Sequence, residues 1–476
     1  MSFLRSTWAR LGPPRAIALL VAAAALLGLV VAPALIGSQQ GTASSSVPLH
    51  PDSRPNVVVV VSDDQSMQTE PFMRNIRGPA WTRMRNAYIN TSLCCPSRAT
   101  ILSGLYSHHT GVNDNAHAER FDDDATVAKW LQDDGYRTAL IGKYLNHYPF
   151  DWDDGEVPPN WDEWIAFNGG TRYYDYELSI NGDVQSYGDT PEEYSTDVLR
   201  DYALDFIDET TADSPDQPFF LYFTPFGVHG PRIPAPRDEQ APVKRLLEHR
   251  DNYNRVQSGP KPDWVKILEP VDDQYEHKRE RGEARTILSV DDAIGALESK
   301  LREVGVLKDT VIIFISDNGF SYGSHRLDDK NCHYEECAHV PMAIRAAGER
   351  PQGLDQVVSN VDIAPTIADL AGVEPSSPVD GASMLPLLNG QKPLANGALL
   401  RTFNQRRKGW GIATPRYKYF KTKRRHVVEL YDLGKDPFEL RNVANYGRYR
   451  PVVRKLAKRT RQLRLAEPDY DVADRP

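Results

Sequence analysis

Asn56-Val57-Val58-Val59-Val60-Val61-Ser62-Asp63-Asp64-Gln65 places five consecutive valines ahead of two adjacent carboxylates. A strand with one wet face alternates apolar and polar residues. An unbroken β-branched run is the pattern of a strand buried on both faces, which is the habit of parallel sheets covered by helices. Three further runs share this character. Thr310-Val311-Ile312-Ile313-Phe314-Ile315 ends in Ser316-Asp317-Asn318-Gly319, and Pro218 to Phe223 ("PFFLYF") passes through Thr224-Pro225 to His229. Thr138-Ala139-Leu140-Ile141-Gly142 ends at Lys143. In open α/β sheets, sites are built at the carboxyl ends of the strands, and each of these runs is followed by a polar or ionisable residue.

Helical spacing lies between the runs. Ile287, Leu288, Val290, Ile294, Leu297 and Leu301 recur at intervals of one, three and four before Gly305, and Asp362 to Gly372 forms a second short helix with glycine at its end. Alternating strands and helices predict a doubly wound α/β core over roughly residues 54–375. Residues 376–476 form a smaller part. There "RYKYFKT" and "HVVELYDL" read as strands of a small antiparallel sheet, followed by a basic helix near Val452 to Leu465. The 476 residues, 40% of them hydrophobic, suffice for a large core, and the absence of an internal repeat excludes a solenoid.

The amino terminus stands apart. Arg5, Arg10 and Arg15 precede an apolar stretch from Ala16 to Gly37, and a polar linker over residues 38–53 follows. This is the layout of an export signal, and the stretch is also long enough to serve as an uncleaved membrane anchor. Residues 1–37 are therefore read as signal peptide or tether, and the protein as secreted or held at the cell surface. Pro14-Arg15 supplies no twin arginine.

Charge is uneven. From Arg401 onward there are 21 Lys and Arg against 8 Asp and Glu, a net +13, so the preceding 400 residues carry −22 of the total −9. A basic tail on an acidic body attracts polyanions, or the two parts complement each other. No recognition motif accompanies the charge, so nucleic acid is not an expected partner.

Asp63-Asp64 and Asp317-Asn318 offer hard oxygen donors at two strand ends, which suits Ca²⁺ or Mg²⁺ better than Zn²⁺. One such pair could be only a turn or a helix cap, but two on equivalent strand ends favour a metal. Pro96 suits the first turn of a helix that continues through "SRATILSG" to Gly104, so that Cys94 stands just before the helix start. Cys94 at such a terminus is expected to have a depressed pKa and to be reactive, with Arg98 one turn on able to grip an oxyanion. Cys95 is expected to be an inert buried thiol.

Cys94-x-Pro96-Ser97-Arg98 followed by Gly104 resembles the hallmark of the type I sulfatases, in which the first cysteine is converted to formylglycine. Asp63-Asp64 and Asp317-Asn318-Gly319 resemble that family's metal-binding pairs. "GKYLN" (142–146), "HGPRIP" (229–234), "DKNCHYEECAHVP" (329–341) and "ELYDLGKDPFELRNVA" (429–444) resemble its other blocks. The similarity spans about residues 54–445 and is nearest to the N-acetylglucosamine-6-sulfatase and arylsulfatase branch.

The resemblance implies an alkaline-phosphatase-like fold, with a doubly wound mixed sheet over 54–375 and a smaller antiparallel sheet plus helix over 376–476. It implies one Ca²⁺ per chain, held by Asp63, Asp64, Asp317, Asn318 and the modified Cys94. Formylglycine at position 94, installed by a formylglycine-generating enzyme, would be hydrated to a diol. One of its oxygens attacks sulfur, and the second allows sulfate to leave by elimination. Arg98 and Lys143 would stabilise the hydrated aldehyde. Lys330 and His229 would contact the sulfate, one of them protonating the leaving alcohol. The implied substrates are sulfated sugars, glycosaminoglycans among them, or aryl sulfates. A phosphonate or phosphate ester hydrolase using the same aldehyde is the alternative enzyme, and a non-catalytic binder of sulfated glycans the alternative from another class.

Some positions depart from the pattern or stay open. Leu145 stands where many relatives carry histidine, and His147 receives no role. His325 is either an acid or a packing residue. His108, His109, Asn113 and Asn115 either line the substrate pocket or form a solvated loop. Cys332 and Cys337 are read as a local disulfide bracing the Lys330 loop, with a zinc site including His333 as the weaker alternative.

Overall fold

The computed structural model describes residues 54–148, 157–243, 250–256, 259–346, 353–391, 397–404, 406–424 and 426–469. The apolar stretch at 16–37 and the linker at 38–53 lie outside the described residues. Among the described residues no helix is long and apolar enough to cross a membrane.

The valine run forms β1 (Asn56–Ser62), buried at every position. The other strands of the large sheet are β2 (Thr82–Tyr88), β3 (Arg137–Gly142), β4 (Glu163–Phe167), β5 (Tyr176–Ile180), β6 (Asp183–Tyr187), β7 (Phe219–Thr224), β8 (Thr310–Ser316), β9 (Met342–Arg345) and β10 (Gly353–Ser359). They lie in the order β10, β2, β9, β8, β1, β7, β3, β4, β5, β6. β8, β1, β7, β3 and β4 run parallel, with Val58 opposite Ile312 on one side and Leu221 on the other. β9 pairs antiparallel with both β8 and β2, so the sheet is mixed.

Alternate valines of β1 serve different cores. Val57, Val59 and Val61 pack with Ile101 and Leu102 of α1 (Cys94–Ser103), Leu131 of α2 (Val127–Asp133) and Ile367 of the helix Ile363–Ala371. Val58 and Val60 pack with Leu199 and Ile207 of α3 (Ser195–Asp213) and with Ile287 and Ile294 of the helix Asp273–Glu303. Burial on both faces is the reason the run shows no polar alternation. Each such valine contributes roughly 1.5 kcal/mol or more.

The β5–β6 hairpin was not anticipated, although Asn181-Gly182 at its turn carries the usual signal, with φ of 50° and 98°. The strands β11 (Ala398–Thr402), β12 (Gly409–Ala413), β13 (Tyr417–Thr422) and β14 (Val428–Asp432) form a second, antiparallel sheet in sequence order. β13 and β14 are the two strands expected there. One face of this sheet (Ala398, Leu400, Phe420) packs on Tyr88 and Ala338, while Ile412, Tyr419 and Leu430 on the other meet Leu456 of the basic helix Arg450–Leu465. Cys332 and Cys337 are disulfide-bonded, with Cα atoms 5.6 Å apart.

Candidate active site

The four expected strands, β8, β1, β7 and β3, are neighbours, and their carboxyl ends deliver ionisable residues to one place. Backbone bonds join these ends. Asp317 N–H donates to Ser62 O (3.0 Å), Val228 N–H to Asp63 O (2.9 Å) and Lys143 N–H to Thr224 O (2.7 Å). Gly142, at φ 125°, lies so close to β7 that a Cβ would sit 2.1 Å from Thr224 O. The glycine before Lys143 is therefore required by the approach of the two strands. Asp64 adopts a left-handed φ of 62°, a conformation aspartate tolerates better than most residues.

Cys94 is the first residue of α1, one position further into the helix than expected. The Cys95 N–H donates to Asn115 Oδ1 (3.0 Å), which satisfies one of the free donors of the helix terminus. Ser97 Oγ accepts from Asn360 Nδ2 (3.0 Å), and Asn360 Oδ1 accepts from Asn90 N–H (3.0 Å), so the motif serine ties α1 to the sheet. Gly104 closes the helix at φ 68° against Pro365 and Val379, where a Cβ would come within 3.1 Å of both.

Cys94 Sγ lies 3.6 Å from Asp63 Oδ1, 3.9 Å from Asp64 Oδ1 and 2.8 Å from Lys330 Nζ. Lys330 also donates to Asp64, and Lys143 to Asp63. Arg98 is fully buried. Its Nε donates to Asp317 Oδ2 (2.8 Å) and one terminal nitrogen to Lys143 O (2.9 Å), and the guanidinium also faces Asp63 Oδ2 at 3.6 Å. His229 Nε2 lies 3.6 Å from Asp64 Oδ2, while its Nδ1 is 2.9 Å from Gly230 O. A carbonyl only accepts, so Nδ1 carries a proton and Nε2 is the nitrogen facing the cluster. All the site residues expected from sequence thus meet here: Asp63, Asp64, Cys94, Arg98, Lys143, His229, Asp317, Asn318 and Lys330.

Three carboxylates are matched by three permanent cations. Burial alone would raise the pKa of Asp63, but Lys143, His229, Arg98 and Lys330 together hold it far below the usual carboxylate range. Burial, reinforced by Asp63 and opposed by Arg98 and Lys143, pushes Asp317 up. The Cys94 thiol corrects a sequence expectation. Burial pushes it well above its ordinary value, with Lys143 and Lys330 pulling down and Asp63 and Asp317 pushing up. A helix terminus favours a thiolate, but complete burial beside carboxylates outweighs it. Cys95, as expected, is buried. Its sulfur accepts from Asn146 N–H (3.1 Å), and burial pushes its thiol up to about 11.

The donors fit a hard cation. Ligand atoms of Asp63, Asp64, Cys94 and His229 lie within 4.8 Å of one another. Asn318 Nδ2 donates to Asp64 Oδ1 (2.7 Å), whereas Asn318 Oδ1 is buried without a hydrogen-bond partner. A buried amide oxygen beside two aspartates is a ready ligand for an oxygen-preferring ion.

Other candidates lie elsewhere. His108 stacks on Tyr106 and meets Arg464 O (3.1 Å), and His109 binds Asp380 Oδ2 (2.7 Å), so both face the carboxyl-terminal part rather than Cys94. Asn113 bonds Gly111 O, and His147 is exposed. His325 is fully buried, stacked on Tyr334 at 4.1 Å near Asn252 and Glu336. Sequence reasoning missed Asn360 and Arg407. Arg407 donates to Asp329 Oδ1 (2.7 Å) and Lys330 O (3.2 Å), from a part of the chain with no local motif.

Residues 55–373 match the family model described as Sulfatase, and residues 323–466 match one described as N-sulphoglucosamine sulphohydrolase, C-terminal. The chain belongs to the sulfatase family. It is 34% identical over 366 residues to human N-acetylglucosamine-6-sulfatase, covering 72% of this chain and 65% of that protein. It is also 34% identical over 355 residues to the Caenorhabditis elegans putative extracellular sulfatase Sulf-1 homolog, covering 71% of this chain and 49% of the relative. This sulfatase chain therefore spans about half to two thirds of these curated relatives. Among solved structures it superimposes with a TM-score of 0.72 on a protein in complex with its substrate D-glucosamine-2-N,6-O-disulfate, at 26% identity over 87% of this chain and 99% of that one. The sulfatase fold expected from the sequence, with its mixed sheet and small antiparallel sheet, is the one found.

Proposed function

We propose that the chain is an exported sulfatase that hydrolyses sulfate monoesters on sugars of glycosaminoglycan type. It would use a formylglycine formed from Cys94 by a formylglycine-generating enzyme, together with one Ca²⁺. The observation that carries this reading is the position of Cys94. Its sulfur stands between Asp63, Asp64 and Lys330, at the meeting point of four strand ends and a helix start. A thiolate facing two carboxylates is poorly placed as a nucleophile, while an oxygen-bearing group at the same position has a cation and hard donors around it. The names of the relatives point to sulfated aminosugars, and one relative is described as extracellular. Residues 16–37 would serve as signal or tether.

Asp63, Asp64, Asp317 and Asn318 would hold the ion. Bound there, it would add two positive charges to an otherwise balanced cluster, polarising a sulfate oxygen and lowering the pKa of the nucleophile. Arg98 neutralises Asp317 and, through Lys143 O, fixes the backbone that carries Lys143. Lys143 holds its ammonium against Asp63 beside position 94. Lys330 presents a second ammonium within 3 Å of the reacting position, where a sulfate oxygen gains most from it. His229, about a third exposed and with Nδ1 fixed by Gly230 O, turns Nε2 toward the cluster, where in its doubly protonated form it can deliver the Nε2 proton to the departing alcohol.

The test is turnover by protein made in a host that oxidises the motif cysteine. Sulfate release from N-acetylglucosamine-6-sulfate or a nitrophenyl sulfate is expected to exceed hydrolysis of a phenyl phosphonate ester by orders of magnitude. Efficient phosphonate cleavage with negligible sulfate release would overturn the assignment.

A further inference from the structure

The basic tail plays no part in the chemistry above, and the structure gathers several of its cations in one groove. Trp410 of β12 pairs across the sheet with Lys421 of β13, and Ile412 with Tyr419. Tyr419 lies buried under the helix Arg450–Leu465, whose last turn reaches Trp410 through Leu463 and Arg464. The groove there has a volume of about 510 Å³. Its lining includes Lys408, Lys421, Lys423, Arg461 and Arg464 around Trp410 and Tyr419, and holds no aspartate or glutamate. Among the described residues none of these five cations makes an ion pair with a carboxylate. Lys421, Lys423, Arg461 and Arg464 are exposed. Arg464 and Arg401 each lie 5.1 Å from the Trp410 ring centroid. Burial, then repulsion from Lys423 and Arg401, holds the Lys408 ammonium below its ordinary range, as uncompensated like charges do.

We propose that this groove is a second binding site for a sulfated polysaccharide, holding a stretch of polymer while another part of the same chain occupies the Cys94 site. The cations match sulfate groups, with arginine able to fork onto an oxyanion, and the half-buried Trp410 indole matches the apolar face of a sugar ring. One accessible ring, with Tyr419 buried, makes no ladder for stacking successive nucleic-acid bases. The groove is joined to the Lys330 loop through one peptide bond. Lys408 follows Arg407, whose guanidinium binds Asp329 and the carbonyl of Lys330. The inference rests on the proposed activity for the choice of sulfated sugar, but its test reads binding and does not depend on turnover.

The experiment uses the full chain carrying Cys94→Ala, titrated with a fluorescent heparin-derived decasaccharide at several salt concentrations. The triple substitution Lys421→Gln, Lys423→Gln, Arg461→Gln is expected to weaken binding at least tenfold and to flatten its salt dependence. In the Cys94-containing enzyme, the same triple variant is expected to hydrolyse a small aryl sulfate at the parental rate. The conservative triple Lys421→Arg, Lys423→Arg, Arg461→Lys is expected to restore decasaccharide binding. Unchanged decasaccharide affinity in the glutamine variant would overturn the proposal. So would equal affinity for single-stranded DNA of matched charge, which would mark the groove as a general polyanion surface.

Discussion

Lys330 Nζ lies 2.8 Å from Cys94 Sγ while donating to Asp64, across 236 residues of intervening chain. The contact is enforced from both sides of Lys330. Asn331 N–H donates to Ser92 O (2.7 Å), Ser92 Oγ donates to Cys332 O (2.7 Å), and Cys332 is bridged to Cys337. Arg407 holds the other side through Asp329. The cation is thus fixed relative to the first residue of α1.

Replacing it should therefore damage chemistry more than binding. Lys330→Ala is expected to lower kcat for a sulfate ester by roughly 10²–10³-fold, the usual cost of removing one preorganised electrostatic group. Steady-state kinetics on a nitrophenyl sulfate measures this. A loss below tenfold would show that Lys330 only tethers the loop.

Arg98 is a matter of stability. Its guanidinium is buried against Asp317 and Asp63, and its removal leaves buried carboxylates short of a counter-charge. Arg98→Met is expected to cost about 3–5 kcal/mol in urea unfolding. A cost under about 1 kcal/mol would mean that Lys143 and Lys330 compensate.

The interface between the two sheets carries a pH dependence. Burial, opposed by Lys418 and reinforced by Glu335 and Glu336, pushes Glu439 up to about 8 from 4.5. The folded state then binds this proton more tightly than the unfolded state. The corresponding stability is complete below about 4.5 and is lost as pH rises through about 8. Between pH 5 and 8, the unfolding midpoint of the parent is expected to fall relative to that of Glu439→Gln. Parallel pH profiles for the two proteins would contradict this.

Metal removal tests the acidic cluster. Millimolar Ca²⁺ is expected to raise the melting temperature of the chelated protein, since a ligand at 100 times its Kd adds about 2.7 kcal/mol. Asn318→Ala and Asp64→Asn should shrink that shift. A melting temperature indifferent to Ca²⁺, with activity surviving chelation, would remove the ion from the account.

Much of this is legible in the sequence. Val57–Val61 and Thr310–Ile315 announce themselves because burial on both faces leaves no polar residue in the strand, and the chain must then turn at Asp63 and Asp317. Asn360 and Arg407 were hidden because their roles arise only when distant segments meet, and neither carries a local pattern. The Cys94 thiol was misread for a related reason. A helix start is visible in the sequence, whereas the complete burial of that thiol, and the approach of Asp63 and Asp317 to it, arise only when distant segments fold together. β12 is hard to read because glycines at 409 and 411 interrupt its strand pattern, and both sit where a Cβ would strike the neighbouring strand.

Intact-peptide mass spectrometry across Cys94, on protein purified from its own host, goes furthest toward deciding the matter. The expected spectrum shows an aldehyde at position 94, with Cys95 as an unmodified thiol and Cys332 bridged to Cys337. An unaltered thiol at Cys94 in protein that still releases sulfate would contradict the mechanism outright.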